Sequence, residues 1–439
     1  MPELLDSLTN LVSTYPDLVR WTNVGVTVEN RQILGVVVSK QTAPGPKYPV
    51  LFTGTIHAAE LSPPEFLVNL AERLCAGYAT NGNYRYVLDY SEVHIIPVVN
   101  IDSKVKADAS STPLSLVFRN NQRDVGCSVG ETNGVNINRN FPYDFALSDP
   151  CNSSYSGPSA ASEPETQAVT NYCHALFADV RGPALGDSVS NTVSGLIIDL
   201  HTQANTILYY YPETGTTPND AQFLSLARKG RHYTGYAINS LSYTTGTMKN
   251  TGFGIWGVPT LTWEFGPING WSCANYTNTT RPANEIAIDY MLRAGRQPFN
   301  EPKFPEITNI VASLDGTTLT ISGAATDSNN DAATDHDIAG IRYSIGLPTW
   351  HSGATPGSLS YTKTTTGNAT FTGTVDVSAL PGGDYVVYAD ATDTSDPTTY
   401  GITSAAVFTI DGDPPVTSVA VLRGNAAAIR GNSAAWRTR

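Results

Sequence analysis

Residues 50–65 constrain what this chain can fold into more than any other stretch. Val50, Leu51 and Phe52, followed by Ile56, read as an apolar strand. Ser62-Pro63-Pro64-Glu65 reads as a helix start, a Ser-x-x-Glu capping box with proline at the first helical position, so a helix is expected from about Pro63. Only a short turn lies between them, and it carries His57 and Glu60. Strand, turn and helix make one βα unit, which points to layered α/β structure. The turn also aims an imidazole and a carboxylate at one point, as a metal requires. A His-x-x-Glu pair alone is more often two solvated side chains, so the metal reading depends on the rest of the chain.

The flanking sequence repeats the alternation. Residues 3–15 have helical spacing (Leu4, Leu5, Leu8, Leu11, Val12), ended by Tyr15-Pro16. Strands are expected at 24–27 and 33–38, and the apolar run 93–99 is short enough to be a buried strand. Residues 104–158 are polar and aperiodic, and loops of that length usually carry function. A helix should follow Ser162-Glu163-Pro164-Glu165. Further on come strands at 195–200, ending at His201, and at 207–211, a helix at 221–231, a strand at Thr260–Phe265 carrying Glu264, and a helix at 286–292. The expected fold is α/β, with a largely parallel or mixed central sheet flanked by helices. His57, His201 and Glu264 all fall at strand ends, where open α/β sheets bind their ligands.

Near residue 302 the composition shifts to Thr, Ser, Gly, Ala and Asp, and helical periodicity stops. Short alternating strands separated by Asp315-Gly316 and Pro381-Gly382-Gly383 predict an all-β, immunoglobulin-like sandwich over 302–412, without the paired cysteines of antibody domains. Residues 1–301 would be a separate catalytic unit, and 413–439 a disordered tail. Asp327, Asp331, Asp335 and Asp337 could bind calcium, but their spacing matches no EF-hand loop, so a solvated turn is expected.

Composition excludes some partners. A net charge of −13 offers no basic face for nucleic acid. No apolar run reaches the roughly 20 residues of a membrane span. Glu3 and Asp6 interrupt any apolar leader, so no signal peptide is expected. The five cysteines include no Cys-x-x-Cys pair. Cys127 and Cys151 could close a loop as a disulfide, which would imply an oxidising compartment, or stand as isolated thiols. His94, His174, His232, His336 and His351 fit no motif and are expected to be structural or solvated, and Tyr209, Tyr210 and Tyr211 to pack in a strand.

Two ligands in one turn plus the remote His201 are a common catalytic zinc arrangement, with a fourth position left for water. Glu264, in the apolar Thr262-Trp263-Glu264-Phe265-Gly266, should have a raised pKa and could pass a proton from water to a leaving amine. Arg119, Asn138 and Arg139 offer donors for a carboxylate. Over roughly residues 3–300 the chain resembles the zinc carboxypeptidase family, of the carboxypeptidase A or funnelin type. The motifs that carry this, in the family's order, are His57-Ala58-Ala59-Glu60, Arg119, residues 134–142 around Asn138-Arg139, Tyr155-Ser156-Gly157-Pro158 with Ser162-Glu163-Pro164-Glu165-Thr166, Asp199-Leu200-His201, and Trp263-Glu264-Phe265.

The resemblance implies one zinc per chain held by His57, Glu60 and His201. Glu264 would be general base and acid, and Arg119 would stabilise the oxyanion. Asn138 and Arg139 would hold the substrate's terminal carboxylate, and Tyr243 would be the mobile tyrosine that closes over it. Lys249, or Met248 if a one-residue deletion falls after it, would floor the side-chain pocket. Lysine there would select acidic C-terminal residues, and methionine apolar ones. Cys127 and Cys151 bracket the Asn-Arg motif much as a disulfide does in secreted members. Three departures stand out: Ala59 replaces a common arginine, Asn136 replaces the aspartate that orients the first zinc histidine, and 246–250 lacks a Ser-x-Asp. No activation segment is read before residue 1.

The expected function is a secreted or extracytoplasmic, monomeric exopeptidase acting on peptide or protein C-termini. Its alternatives are a cell-wall peptide carboxypeptidase and a peptide-binding or adhesion protein with an inactive peptidase-like domain.

Overall fold

The computed structural model describes residues 1–43, 45–110, 118–127, 133–212, 215, 217–239, 244–266, 272–327 and 336–412. Tyr243, Asp331, Asp335 and the tail 413–439 lie outside the described residues.

Eight strands form one mixed sheet: β1 (Val19–Val26), β2 (Gln32–Val38), β3 (Tyr48–Gly54), β4 (Ser91–Ile96), β5 (Leu196–Thr202), β6 (Thr206–Tyr209), β7 (Ala237–Asn239) and β8 (Thr260–Phe265). The order is β1-β2-β4-β3-β5-β8-β6-β7. The central β4, β3, β5 and β8 run parallel, while β2 and β6 pair antiparallel to this block. The central strands are buried on both faces, which is why they read as unbroken apolar runs. Val50 and Phe52 face one core with Ile198 and Leu200, whereas Leu51 and Ile197 face the other.

Helices cover both faces: α1 (Pro2–Thr14), α2 (Ser62–Gly77), α3 (Gly82–Tyr90), α4 (Ile101–Ala109), α5 (Pro164–Leu176), α6 (Asp220–Thr234), α7 (Met248–Trp256) and the helix Arg281–Ala294. Phe66 and Leu70 of α2, Phe223 of α6 and Ile288 close the first core, and Val169 of α5 with Trp256 of α7 the second. No described helix is long and apolar enough to cross a membrane.

The expected capping box at α2 does not form. The helix starts at Ser62 with Leu61 as its cap and no side-chain cap bond, and the Ser62 hydroxyl has no partner among the described residues. Glu65 is drawn away to Arg281 at 2.9 Å and to Tyr276, so an ion pair wins over the local cap. Helices α3, α4 and α7 carry too little periodicity to be read from sequence. In α7 the obstacle is Gly252 and Gly254. A Cβ at either would come within 2.1 Å of Thr260 or 2.3 Å of Tyr143, so close packing sets these residues against helix propensity.

Among the described residues from 306 to 412, the regular structure is all β. β9 (Glu306–Asp315), β10 (Thr318–Thr326), β13 (Tyr361–Thr365) and β14 (Asn368–Asp376) form one antiparallel sheet. β11 (Ile338–Ile345), β12 (Gly357–Ser358), β15 (Gly383–Asp393) and β16 (Ser404–Ile410) form another. Leu319, Ile321 and Phe371 pack with Ile341, Val387 and Phe408 in one core drawn from both sheets.

This part joins the first unit through buried contacts. Val386, Tyr388, Ile402 and Ala405 belong to the core that contains α2 and α6. Arg293, 6% exposed, donates to Glu306 Oε1 at 3.0 Å and to Ser404 Oγ at 2.7 Å. The expected solvated turn at 327–337 is only half right. Asp337 pairs in the open with Lys363 at 3.0 Å, but Asp327 is buried.

Candidate active site

β3 stops at Gly54, and Thr55, in the left-handed region at φ 53°, turns the chain out of the sheet. The Glu60 N–H donates to the His57 carbonyl at 3.1 Å and closes the turn. This brings His57 Nδ1 within 2.8 Å of Glu60 Oε1. On the neighbouring β5, His201 Nδ1 lies 3.1 Å from Glu60 Oε2, and the two imidazoles are 4.9 Å apart. All three residues are buried, and one ligand atom of each lies within 4.8 Å of the others.

The groups behind the rings decide which nitrogen faces inward. His57 Nε2 lies 3.1 Å from Asn136 Oδ1. Asn136 Nδ2 donates to the Ser153 carbonyl at 3.0 Å, so its oxygen must face the ring. That oxygen only accepts, so Nε2 carries the proton and Nδ1 offers its lone pair to the centre. His201 Nε2 lies 2.8 Å from Asp199 Oδ2, and Asp199 Oδ1 is held by the Thr53 hydroxyl at 2.7 Å. The positioning part played by Asp199 was not read from sequence. Its signal was available, because residues two apart on a strand share a face.

The two rings differ in charge. Burial, with Arg119 nearby, pulls His57 down to about 3, so it stays neutral. Burial pulls His201 the same way, but Asp199 and Glu60 outweigh it and hold His201 well above its usual value. Burial would raise Glu60, yet His201 and His57 keep it well below the usual carboxylate range. A cation entering this centre must displace the His201 proton, which makes its affinity pH-dependent. Two inward nitrogens and a carboxylate, each imidazole backed by an acceptor, fit zinc with an open coordination position.

Glu264 stands beside His201 in register on β8. Burial is the main cause that pushes its carboxyl up to about 7; His201 opposes this and Glu60 adds to it. Arg119 Nη1 lies 3.9 Å from Glu60 Oε1. The Asn138 N–H donates to Asn136 Oδ1 at 3.0 Å, its Oδ1 accepts the Met248 N–H at 2.9 Å, and its Nδ2 lies 3.3 Å from His201 Nε2. Arg139 donates to the Asn138 carbonyl at 2.6 Å and has no carboxylate partner among the described residues. Burial, with Arg119, lowers it to about 10. Lys249, buried in α7, donates to Asn250 Oδ1 at 3.0 Å. Burial, then Arg139, pulls it to about 7 against the opposing charge of Asp144.

Arg119, Arg139 and Lys249 thus form a chain of neighbouring basic groups that reaches Glu264 through Arg119. Gly246, at φ 60°, packs on it where a Cβ would lie 2.1 Å from the Arg139 carbonyl oxygen. Cys127 and Cys151 form a disulfide, with Cα atoms 5.5 Å apart, bracketing the segment of Asn136, Asn138 and Arg139.

The zinc carboxypeptidase family pattern matches residues 4–311, most of the chain. The chain belongs to the zinc carboxypeptidase family. Within that family it is 30% identical over 239 residues to a metallocarboxypeptidase A-like protein of Trichophyton verrucosum, covering 52% of this chain and 50% of that protein. It is 29% identical over 244 residues to the carboxypeptidase N catalytic chain of Rattus norvegicus, covering 52% of this chain and 50% of that protein. The chain therefore spans about half the length of these two relatives. Its fold superposes on the crystal structure of thrombin activatable fibrinolysis inhibitor with a TM-score of 0.55 and 20% identity, covering 67% of this chain and 73% of that one. The mixed eight-stranded sheet with flanking helices is the carboxypeptidase fold.

Proposed function

We propose that this protein is a zinc exopeptidase, secreted or extracytoplasmic, that removes C-terminal residues from peptides or proteins. Residues 1–301 would form the catalytic unit and 302–412 an immunoglobulin-like sandwich. The observation that carries this reading is the convergence of three buried donors, His57, Glu60 and His201, with Glu264 beside them on the neighbouring strand.

One zinc would be held by His57, Glu60 and His201. When bound, it supplies Lewis acidity to the scissile carbonyl and to the attacking water. Glu264, near neutrality by virtue of its burial, takes the proton of the attacking water and delivers it to the leaving amine. Arg119, beside the ligand Glu60, stabilises the developing oxyanion. Arg139, whose charge lacks a carboxylate among the described residues, receives the C-terminal carboxylate of the substrate. Asn138 assists it from the same loop. Tyr243 would close over the substrate.

Lys249 rather than Met248 would floor the side-chain pocket. What supports this is that Met248 packs in the core with Ile137, Phe141 and Trp256, whereas Lys249 neighbours Arg139. The pocket would select C-terminal Glu or Asp, because an acidic side chain would be attracted by Lys249 and the neighbouring Arg139 and a basic one repelled.

The test is hydrolysis of blocked dipeptides ending in Glu, Phe or Arg, before and after chelation. Turnover abolished by chelator and restored by zinc is expected, with kcat/KM highest for Glu. Chelator-resistant hydrolysis would overturn the mechanism, and a preference for Arg would overturn the pocket assignment alone.

A further inference from the structure

A second histidine–carboxylate cluster lies in the all-β part. Asp327 follows β10 directly, Asp393 is the last residue of β15, and His336 lies just before β11. β10 and β15 belong to different sheets, so the cluster spans the sandwich. One ligand atom of each residue lies within 4.8 Å of the others. Asp327 is 3% exposed and Asp393 0%.

Hydrogen bonds satisfy only half of each carboxylate. Asp327 Oδ2 accepts the His336 backbone N–H at 2.7 Å and lies 3.8 Å from His336 Nδ1. Asp393 Oδ1 accepts from the Ser395 N–H at 2.8 Å, the Ser395 hydroxyl at 2.5 Å and the Asp396 N–H at 3.1 Å. Asp327 Oδ1 and Asp393 Oδ2 are buried without a partner among the described residues. Two bare carboxylate oxygens in one buried cluster are costly, and each needs a counterpart. Burial raises the Asp327 carboxyl, and the charge of Asp393 adds to that. Lys229 of α6 contributes an opposing positive charge, but its buried ammonium bonds to neither carboxylate.

We propose that Asp327, His336 and Asp393 hold a divalent cation that ties the two sheets together, separately from the His57–Glu60–His201 centre. The donor set indicates the ion. Two carboxylates with one imidazole suit Zn2+ or Mn2+, whereas Ca2+ prefers an all-oxygen shell. Such an ion supplies the partner that both bare oxygens lack and cancels the repulsion between the two aspartates. Its part is structural, because no substrate-facing group of the first centre contributes to it.

The test is equilibrium dialysis of the metal-stripped full chain against Zn2+, Mn2+ and Ca2+, with bound metal counted by mass spectrometry and Tm recorded. Two zinc ions are expected in the unmodified protein and one in His57→Ala. His336→Ala and Asp393→Asn should each keep one and retain peptidase activity. In the His57→Ala background, Zn2+ or Mn2+ should raise Tm by about 2 °C or more, and adding His336→Ala should abolish the rise. His336 is 41% exposed, so its variant keeps the test open if Asp393→Asn does not fold. The proposal fails if His57→Ala binds no ion, if His336→Ala leaves the zinc count at two, or if Ca2+ alone binds.

Discussion

The two histidine–carboxylate clusters differ in what stands behind them. At the carboxyl ends of β3 and β5, each imidazole is backed by an acceptor that is itself held. Asn136 is fixed by the Ser153 carbonyl, and Asp199 by the Thr53 hydroxyl. In the sandwich, the His336 side chain is 41% exposed, and two carboxylate oxygens have no partner among the described residues. The first cluster has its geometry before any ion arrives; the second would acquire it from the ion. Catalysis needs the former, because donors must stay in place while charge moves. A structural tie needs only net affinity.

The largest effect expected from breaking this contrast is at the organised centre. His201→Ala removes one of three ligands and should empty that centre of zinc and reduce peptidase activity to background. Unchanged zinc there in the purified variant would sink the assignment. Next comes Glu264→Gln, which should keep the fold and the zinc but lower kcat by about 10²–10⁴-fold. Turnover near that of the unmodified enzyme would mean that another group acts as base.

A third variant sharpens the comparison within the centre itself. His57 is backed by a neutral amide and His201 by a carboxylate. Asn136→Asp gives both rings the same kind of backing and should tighten zinc by about 10-fold, at the low end of what such partners contribute. A competitive chelator titration reads this, and equal or weaker binding rejects it.

The smallest expected effect is a pH limb. Glu264 must be ionised to act as base, so kcat/KM should fall as the pH drops below its pKa. Burial is the main cause that holds that value up at about 7, and a bound dication would lower it, so the acid limb should lie below neutrality. The limb should vanish in the residual activity of Glu264→Gln; a limb that persists there belongs to another group.

Much of the first unit was legible because its central strands are short apolar runs that end on chemistry-bearing residues. His57, His201 and Glu264 could each be placed at a strand end from pattern alone, and register then sets His201 beside Glu264. What escaped was structure held by tertiary contacts. Helix α7 hides behind two glycines that exist to let Thr260 and Tyr143 approach. The capping motif at Ser62 was a local signal overridden by the distant Arg281. Asp327 read as one acid among several in a polar loop, and only its position between two sheets buries it. Motif spacing reports what neighbours in sequence can do; it is silent where the partner lies 60 or 200 residues away.

The buried Arg293 has a consequence for how the chain is made. Its guanidinium sits in the last helix of the first unit, yet its acceptors, Glu306 and Ser404, come later in the chain. At roughly 5–20 residues per second, a ribosome needs on the order of 5–20 s to deliver Ser404 after Arg293. Glu306 follows after only 13 residues, but through the rest of that interval the helix lacks the Ser404 hydroxyl and the apolar cover of Tyr388 and Ala405. A ribosome-stalled chain ending before β16 should therefore be cut by protease within Arg281–Ala294, where the finished protein resists. Nascent-chain chaperones would meet their exposed surface here, at the seam, rather than at the eight-stranded sheet.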